Sequence, residues 1–354
     1  METNQIDPES LPPEAIGECE LERPQPADEP ITPQPAGGES ADLFDEMRAT
    51  IDRLEKDRTA RGDLKILSRT LLELRYAFKV FRPYRRRRKV TIFGSARTQP
   101  DHPDYQSAVA LGRQMAVHGW MVITGAGGGI MEAGHVGAGK EASMGLNIML
   151  PFEQGANHVI EGDPKLVTMK YFFTRKLMFV KECSAVVCCP GGFGTLDEAL
   201  ETLTLMQTGK QTMLPLVLLD HPHGSYWSDL GKFIDKQLLD GGMISPDDVS
   251  LYRITNDVNV AIDEILTFYR RYHSMRYVRD RLVFRLKERL SDEKMEQIRS
   301  EFTDILVSGG FEQRSALSEE AGEPDLAGLP RLVFHFNRRA LGRLRSLINC
   351  INVD

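Results

Sequence analysis

The sequence predicts an α/β protein whose core is a mainly parallel, doubly wound sheet covered by helices on both faces. Short, continuous apolar segments alternate with amphipathic segments of helical period, and three of the apolar segments run directly into glycine-rich turns. The composition fits a globular protein, with 354 residues of which 41% are hydrophobic and 27% charged.

The residues before the alternating pattern divide into two parts. Residues 1–40 contain eight prolines, ten acidic residues and one arginine, so we expect a disordered acidic tail. Residues 41–88 predict a helical N-terminal extension, because apolar side chains recur there at helical spacing. The spacing is set by Leu64, Leu67, Leu71, Leu74 and Phe78.

The alternating pattern occupies residues 89–272 and predicts one domain built around the parallel sheet. Strands are predicted in KVTIFGSA, which breaks at Gly94, and in WMVITGAGGG, MGLNIMLP, SAVVCCP and LPLVLLD. Helices are predicted in DYQSAVALGRQMAVHG, in the segment ending near Ala142, in KYFFTRKLMFVKEC and from Leu196 to Met206.

The last segment, residues 273–354, is predicted to be a C-terminal α/β extension that serves packing or oligomerisation. Residues 273–308 are charged and predict helix, residues 309–329 are polar and predict loop, and RLVFHFNRRALGRLRSLINCINV predicts a strand followed by a helix.

Charge and cysteine content exclude several classes of function. The net charge of −7 comes from the tail, because residues 1–40 carry −9 and residues 41–354 carry +2. This balance gives no indication of nucleic-acid binding. The apolar segments are too short to span a bilayer, and the acidic start is not a secretory signal. Five cysteines without a CxxC pair predict reduced thiols, a cytoplasmic protein and no zinc site.

The three glycine-rich turns are FGSAR at 93–97, TGAGGG at 124–129 and PGGFGT at 190–195. Each follows a strand, and the carboxyl ends of parallel strands form the ligand-binding edge of such sheets. Closely spaced glycines let backbone N–H groups approach an anion. The turns therefore predict a site for a mononucleotide-sized anion.

Known nucleotide motifs do not fit these turns. The dinucleotide pattern G-x-G-x-x-G fails because Ile130 or Glu132 occupies the sixth position. A phosphate loop beginning at Gly134 ends in Glu141, which lacks the hydroxyl that holds magnesium. We therefore predict no metal and no cofactor.

A purely structural interpretation of these residues is also available. Glycines can simply form tight strand-to-helix turns, and Thr195-Leu196-Asp197-Glu198 fits a capping box with Thr195 at the N-cap. That interpretation accounts for Thr195 and Glu198, but it leaves Gly191 and Gly192 unexplained.

The motifs PGGFGTLDE, FFTRKLMF, FGSAR and TGAGGGIME together resemble the LOG family, phosphoribohydrolases formerly described as lysine decarboxylase-like. The resemblance covers about residues 89–270, and LPFEQGAN and LMQTGKQ resemble a longer bacterial branch. It implies that residues 89–272 are a nucleotide-binding, catalytic domain with a Rossmann-like fold. It also implies a homodimer or larger assembly with the active site near the dimer interface, and hydrolysis of the N-glycosidic bond of nucleoside 5′-monophosphates.

The resemblance also assigns residues. It implies that Arg175 and Glu198 are catalytic and that Gly191 to Thr195 hold the phosphate. The full set of candidate binding residues is Gly94, Ser95, Arg97, Gly127, Gly128, Gly129, Asn157, Lys176, Gly191, Gly192, Gly194, Thr195 and Thr204. Asn157 stands near where the plant members carry an acidic residue.

The chemistry is consistent with this pair. Breaking the ribose–base bond builds positive charge on C1′, which a carboxylate can stabilise while it orients or deprotonates water. We expect Glu198 to lie in the first turn of its helix, where the helix dipole favours the ionised form. An arginine remains charged and can hold the phosphate or the carboxylate.

The sequence thus predicts a cytoplasmic enzyme that converts AMP or a cytokinin riboside monophosphate into free base and ribose 5-phosphate. One alternative is a non-catalytic nucleotide-binding, sensing or carrier protein on the same fold. A second is a pyridoxal-phosphate decarboxylase, although no distinctive Schiff-base lysine motif is present.

Overall fold

A computed structural model describes residues 40–150 and 155–353. Residues 1–39 of the predicted tail, which was 1–40, and residues 151–154 of LPFEQGAN lie outside the described residues. The chain divides into two units, with the boundary in the sequence between Thr59 and Ala60. The described part of the first unit contains helix α1 (Ala41–Lys56).

The second unit contains a seven-stranded sheet in which all pairs are parallel, and a four-stranded antiparallel sheet. The strands of the parallel sheet are β1 (Lys89–Phe93), β2 (Met121–Thr124), β3 (Ser143–Ile148), β4 (Leu166–Met169), β5 (Ala185–Cys188), β6 (Leu216–Leu219) and β7 (Arg253–Thr255). The helices around them are α2 (Arg61–Phe81), α3 (Pro103–Val117), α4 (Ile130–Ala142), α5 (Phe172–Glu182), α6 (Phe193–Gln207), α7 (Tyr226–Phe233) and α8 (Val258–Phe268).

The strand order β4-β3-β2-β1-β5-β6-β7 places the reversal of winding between β1 and β5. The chain winds outward from β1 to β4 and then returns to β5, so the loops after these two strands diverge and leave a crevice. This arrangement confirms the predicted doubly wound α/β class. It also puts FGSAR and PGGFGT on the two sides of the crevice.

The parallel sheet was predictable because its central strands are buried on both faces. Every residue of β1, β2, β5 and β6 is buried, which is why these strands appear in the sequence as continuous apolar segments. Strands β4 and β7 were not predicted from the sequence, because both are short edge strands with only partial burial.

The prediction of helix for residues 273–308 is wrong over much of its length. This segment begins with the hairpin β8 (Tyr272–Val278) and β9 (Arg281–Leu286), followed by α9 (Asp292–Glu301) and β10 (Leu306–Arg314), which also replaces the start of the predicted loop. The final strand β11 (Arg331–Phe336) and helix α10 (Leu341–Asn352) follow as predicted. The sheet order is β10-β11-β9-β8.

Buried charges explain the error. Arg285 of β9 and Arg331 of β11 occupy interior positions, and both donate to Glu320, which is itself buried. Burial alone would raise the pKa of Glu320, but the bonds from the two arginines outweigh it and hold that pKa at about 2. Within the segment that was predicted as helix, the charge of Arg285 at a core position obscures the pattern by which β9 would be recognised as a strand.

Candidate active site

The three glycine turns are joined at the carboxyl edge of the parallel sheet. Ser95 donates its backbone N–H to Pro190 O at 3.0 Å and accepts from Ile130 N at 3.0 Å. A Cβ at Gly129 would lie 2.3 Å from Ser95 O, and Gly129 has a φ of 63°. The turns after β1, β2 and β5 therefore pack backbone to backbone, and glycine is required at Gly129 by both space and conformation.

Gly192 and Gly194 are different, because packing does not explain them. Among the described residues, no atom lies within 4 Å of a Cβ built at either position, and neither has a positive φ. Both are exposed at the beginning of α6, a 15-residue helix whose N-cap, Gly192, makes no side-chain capping bond within the described chain. The open space and the N–H groups of the helix terminus suit an anion.

The predicted capping box is wrong. Helix α6 begins at Phe193, so Thr195 is its third residue, and Thr195 N donates to Gly192 O at 3.0 Å. Glu198 is the sixth residue and lies in the second turn, not the first. The structural interpretation of Thr195 and Glu198 as a cap therefore does not apply.

The environment of Glu198 also differs from expectation. Its side chain is buried, and burial raises its pKa to about 7, with a further upward contribution from Glu201 and opposition from Lys176 and Arg175. The helix dipole does not keep this carboxyl strongly acidic. A carboxyl with a pKa near neutrality can both accept and return a proton at working pH.

Lys176 of α5 bridges to α6 through three carboxylates. Its Nζ lies 2.7 Å from Glu201 Oε2, 2.9 Å from Asp197 Oδ2 and 3.9 Å from Glu198 Oε2. Burial lowers the pKa of Lys176, but these carboxylates outweigh burial and raise it overall. Lys176 thus compensates the negative charge around Glu198, in addition to any role toward a phosphate.

Arg175 connects α5 to the second glycine turn. Its Nε donates to Leu146 O at 2.7 Å and its Nη2 to Gly125 O at 3.4 Å. Its guanidinium carbon lies 5.2 Å from the ring centroid of Phe179. The cation is held between strand β3 and a glycine turn, and it is close enough to Glu198 to lower the pKa of that carboxyl.

Asn157 is turned toward the second glycine turn. Its backbone N–H donates to Ala126 O at 2.8 Å, and its Nδ2 donates to Gly127 O at 3.0 Å and to His135 Nδ1 at 3.2 Å. His135 is fully buried, and its Nε2 donates to Met144 O at 3.0 Å. Burial lowers the pKa of His135 to about 4, so it is neutral at pH 7 and accepts from Asn157.

Two supporting residues were missed from the sequence. The apolar helix segment around His135 gives only a weak indication that this residue supports the site, and the sequence around Tyr226 gives none. Tyr226 Oη donates to Gly191 O at 2.8 Å and so fixes the third glycine turn from α7. Such contacts join residues that are remote in the chain.

The remaining candidates divide by position. Gly94 packs against α4, since a Cβ there would lie 2.6 Å from Ile130, and Arg97 is exposed, with its backbone N–H donating to Ser95 Oγ. Thr204 donates to Leu200 O and lies nine residues beyond Thr195, about 13 Å along the helix. The structure does not bring Thr204 to the glycine turns.

The described residues contain no group of three or more His, Cys, Asp or Glu side chains arranged to hold a metal ion. Within the same ranges, no helix is both long and apolar enough to cross a bilayer.

Removing the positive charge of Lys176 is expected to shift the pH dependence of any reaction that uses ionised Glu198. In the wild type, kcat/KM should rise with pH through about 7. Because Lys176 lowers the pKa of Glu198, Lys176→Met should move this rise to higher pH. The measurement is kcat/KM between pH 5 and 9, with Lys181→Met as the control, since Lys181 pairs with Glu182 on α5. The rise of kcat/KM with pH is the acid limb of the pH profile. If this limb lies at the same pH in Lys176→Met as in the wild type, its assignment to the ionisation of Glu198 is contradicted.

Comparison with known proteins gives one consistent result. A family model described as "Possible lysine decarboxylase" matches residues 128–265. Cytokinin riboside 5′-monophosphate phosphoribohydrolase LOG3 from Arabidopsis thaliana is 30% identical over 165 residues, which cover 45% of this chain and 73% of the relative. The enzyme of the same name from Mycobacterium tuberculosis is 28% identical over 169 residues, covering 46% and 86%.

Coverage differs among the relatives. LOG7 from Arabidopsis thaliana is 31% identical over 150 residues, covering 41% of this chain and 65% of the relative. The chain thus spans less than two thirds of the length of several curated relatives that it matches. Among solved structures, a molybdenum cofactor carrier protein from Chlamydomonas reinhardtii is 25% identical, with 51% of this chain and 99% of that chain covered and a TM-score of 0.35.

Proposed function

The chain belongs to the LOG family, and from this premise we propose that it hydrolyses the N-glycosidic bond of nucleoside 5′-monophosphates, AMP or a cytokinin riboside monophosphate. The observation that carries the proposal is the combination on one helix of an open glycine N-terminus, at Gly192 and Gly194, with a buried carboxyl of pKa about 7 at Glu198. The first feature suits a phosphate and the second suits proton transfer.

The geometry of α6 supports phosphate binding at its N-terminus and proton transfer further along the helix. The 5′-phosphate would bind at the helix terminus, and Glu198 lies about 7 Å further along the axis than Phe193, which separates the reacting bond from the phosphate. Arg175 and Lys176 reach the same region from α5 and supply positive charge. We further propose that the candidate glycines, Ser95 and Thr195 shape the phosphate site, while Asn157 fixes the second turn.

In the reaction, water adds to C1′ as the bond from C1′ to the base nitrogen breaks with its electron pair going to the base. Ionised Glu198 stabilises the positive charge that builds on the ribose and accepts a proton from the water. Because its pKa is near 7, Glu198 can then release that proton toward the departing base. The products are free base and ribose 5-phosphate.

The decarboxylase alternative requires a neutral lysine amine to form a Schiff base. Lys176, which lies beside Glu198, has a raised pKa because three carboxylates surround it. It is therefore protonated at neutral pH and poorly suited to that role. The sensing alternative keeps the nucleotide site but provides no use for the raised pKa of Glu198.

We also propose that the protein is a homodimer in which a second copy covers an apolar surface beside the site. Exposed apolar side chains lie on α5 and α6, and a groove of about 440 Å³ runs along the pair. The exposed residues are Phe172 (53%), Phe173 (51%), Leu177 (48%), Phe193 (93%) and Leu200 (45%). Phe193 lies between Gly192 and Gly194, so this surface borders the phosphate site. Sedimentation should give twice the chain mass for wild type, and Leu177→Asp should shift the protein toward the monomer.

A cytoplasmic setting is also proposed. The cysteines of the described residues, Cys183, Cys188, Cys189 and Cys350, are all free thiols, as expected in a reducing compartment.

The function is tested by incubating the protein with a panel of nucleoside 5′-monophosphates and measuring free base by chromatography, with Glu198→Gln as the control for contaminating activity. Release of base by the wild type alone supports the proposal. Saturable AMP binding without release would favour the sensing alternative, and an absorbance of a lysine-bound pyridoxal phosphate would favour the decarboxylase.

A further inference from the structure

A carboxylate from outside the predicted catalytic domain is buried against the beginning of α5. Glu73 of α2 is 5% exposed and accepts from Lys170 N at 2.8 Å and from Thr174 Oγ1 at 2.8 Å. Arg69, one turn earlier on α2, donates its Nε to the same carboxylate at 2.8 Å. Glu73 therefore joins two segments that are about a hundred residues apart in the chain.

The position of this carboxylate matters because α5 lacks a cap of its own. Tyr171 is the N-cap residue, and no side-chain capping bond is made there within the described chain. A negative charge at a helix N-terminus satisfies free N–H groups and complements the helix dipole. Burial alone would raise the pKa of Glu73, but hydrogen bonds from Lys170, Thr174, Arg69 and Tyr171 outweigh it, so the pKa is lowered and the group is ionised.

The cap lies one turn before the catalytic candidates. Arg175 N donates to Tyr171 O at 3.3 Å, and Thr174 Oγ1 lies 2.8 Å from the same carbonyl oxygen. Glu73 thus holds the residues that lead into α5 and the third residue of that helix, immediately before Arg175 and Lys176 extend toward Glu198. A loosened first turn would displace both cations.

We propose that Glu73 is a positioning residue for Arg175 and Lys176, and that α2 is thereby a functional part of the active site. The proposal rests on the proposed function, since it assumes that Glu198 acts on a bound nucleotide. Four charged groups shift the pKa of Glu198. Arg175 and Lys176 from α5 lower it, and Asp197 and Glu201 from α6 raise it. Displacing α5 removes only the lowering pair.

The test is Glu73→Gln, which keeps the size of the side chain but replaces one acceptor oxygen by an amide. We expect kcat/KM for base release from AMP to fall about tenfold, because small displacements of catalytic groups have large effects. The acid limb of the pH profile should move to higher pH as Glu198 loses its cations. Hydrogen exchange at the amides of Lys170 and Tyr171 should become faster.

Glu320→Gln is the matched control. Glu320 is buried to a similar extent and also accepts from arginine and from a backbone N–H, but its arginine partners belong to the antiparallel sheet. This variant should lower the melting temperature yet leave the acid limb and kcat/KM unchanged when assayed below that temperature. A positioning role and a purely stabilising role are separated by this contrast.

Thr174→Val gives a milder test if Glu73→Gln fails to fold, because it removes one partner of Glu73 and leaves the carboxylate. It should move the acid limb in the same direction by a smaller amount. A folded Glu73→Gln, or in its place Thr174→Val, with an unmoved acid limb would overturn the proposal. If the wild type releases no base, the proposed function fails, whereas the hydrogen-exchange comparison still decides whether Glu73 holds the first turn of α5.

Discussion

Glu198→Gln is expected to lower kcat for base release about a thousandfold while changing the affinity for AMP less than about threefold. Glutamine preserves the size of the side chain, so the packing around α6 is retained. It can neither carry the negative charge that stabilises the ribose cation nor accept a proton from water. The measurement is single-turnover release of adenine together with AMP binding by calorimetry.

The same variant should be more stable than the wild type at alkaline pH. The folded-state pKa of Glu198, about 7, lies above the ordinary value of 4.5, so folding favours the protonated form. Ionisation therefore costs the folded protein stability as pH rises from 4.5 to 7, on the order of 3 kcal/mol at most. Glutamine carries no such cost, and the melting temperature of Glu198→Gln should exceed that of wild type at pH 8 but not below pH 4.5.

This pairing of lost activity with gained stability distinguishes a catalytic carboxyl from a structural one. Glu201→Gln is the control, because Glu201 lies on the same helix and shares Lys176. It should reduce kcat/KM less than tenfold. A Glu198→Gln protein that melts lower at pH 8 and still releases adenine at the wild-type rate would show that Glu198 only supports the fold.

How far the sequence could predict the protein depended on where each signal was located. The glycine turns and the buried parallel strands are local patterns, so the edge of the sheet that carries Gly94, Gly129 and Gly192 could be placed from the sequence. Strand β9 of the antiparallel sheet could not, because Arg285 stands at an interior position and its partner Glu320 is not adjacent in sequence.

The beginning of α6 shows a second limit of prediction from local sequence. The spacing from Thr195 to Glu198 matches a capping box, yet the turn before it is fixed by Tyr226 and Ser95, which are distant in sequence. Those contacts allow the helix to begin at Phe193 and carry Glu198 into a buried second turn. The pKa of Glu198 follows from that burial, and so could not be derived from local spacing.

AMP is expected to be cleaved with a kcat/KM at least about a hundredfold higher than that of adenosine, equivalent to about 2.7 kcal/mol of transition-state stabilisation. The phosphate is remote from the bond that breaks, so its binding at the N-terminus of α6 can position the ribose over Glu198. Adenosine should therefore lose kcat as well as affinity. The measurement is adenine release from both substrates with one preparation of enzyme.

Gly192→Ala provides the structural control for this prediction. Its backbone, with φ −84° and ψ −162°, accepts an alanine, and among the described residues nothing lies within 4 Å of the added Cβ. The methyl group would enter the space assigned to the phosphate, so the melting temperature should stay constant while the preference for AMP over adenosine shrinks at least about tenfold. Gly129→Ala should instead lower the melting temperature, because its Cβ would overlap Ser95 O. Equal kcat/KM for AMP and adenosine in the wild type would show that the phosphate does not bind at the N-terminus of α6. That result would also contradict the proposed reaction.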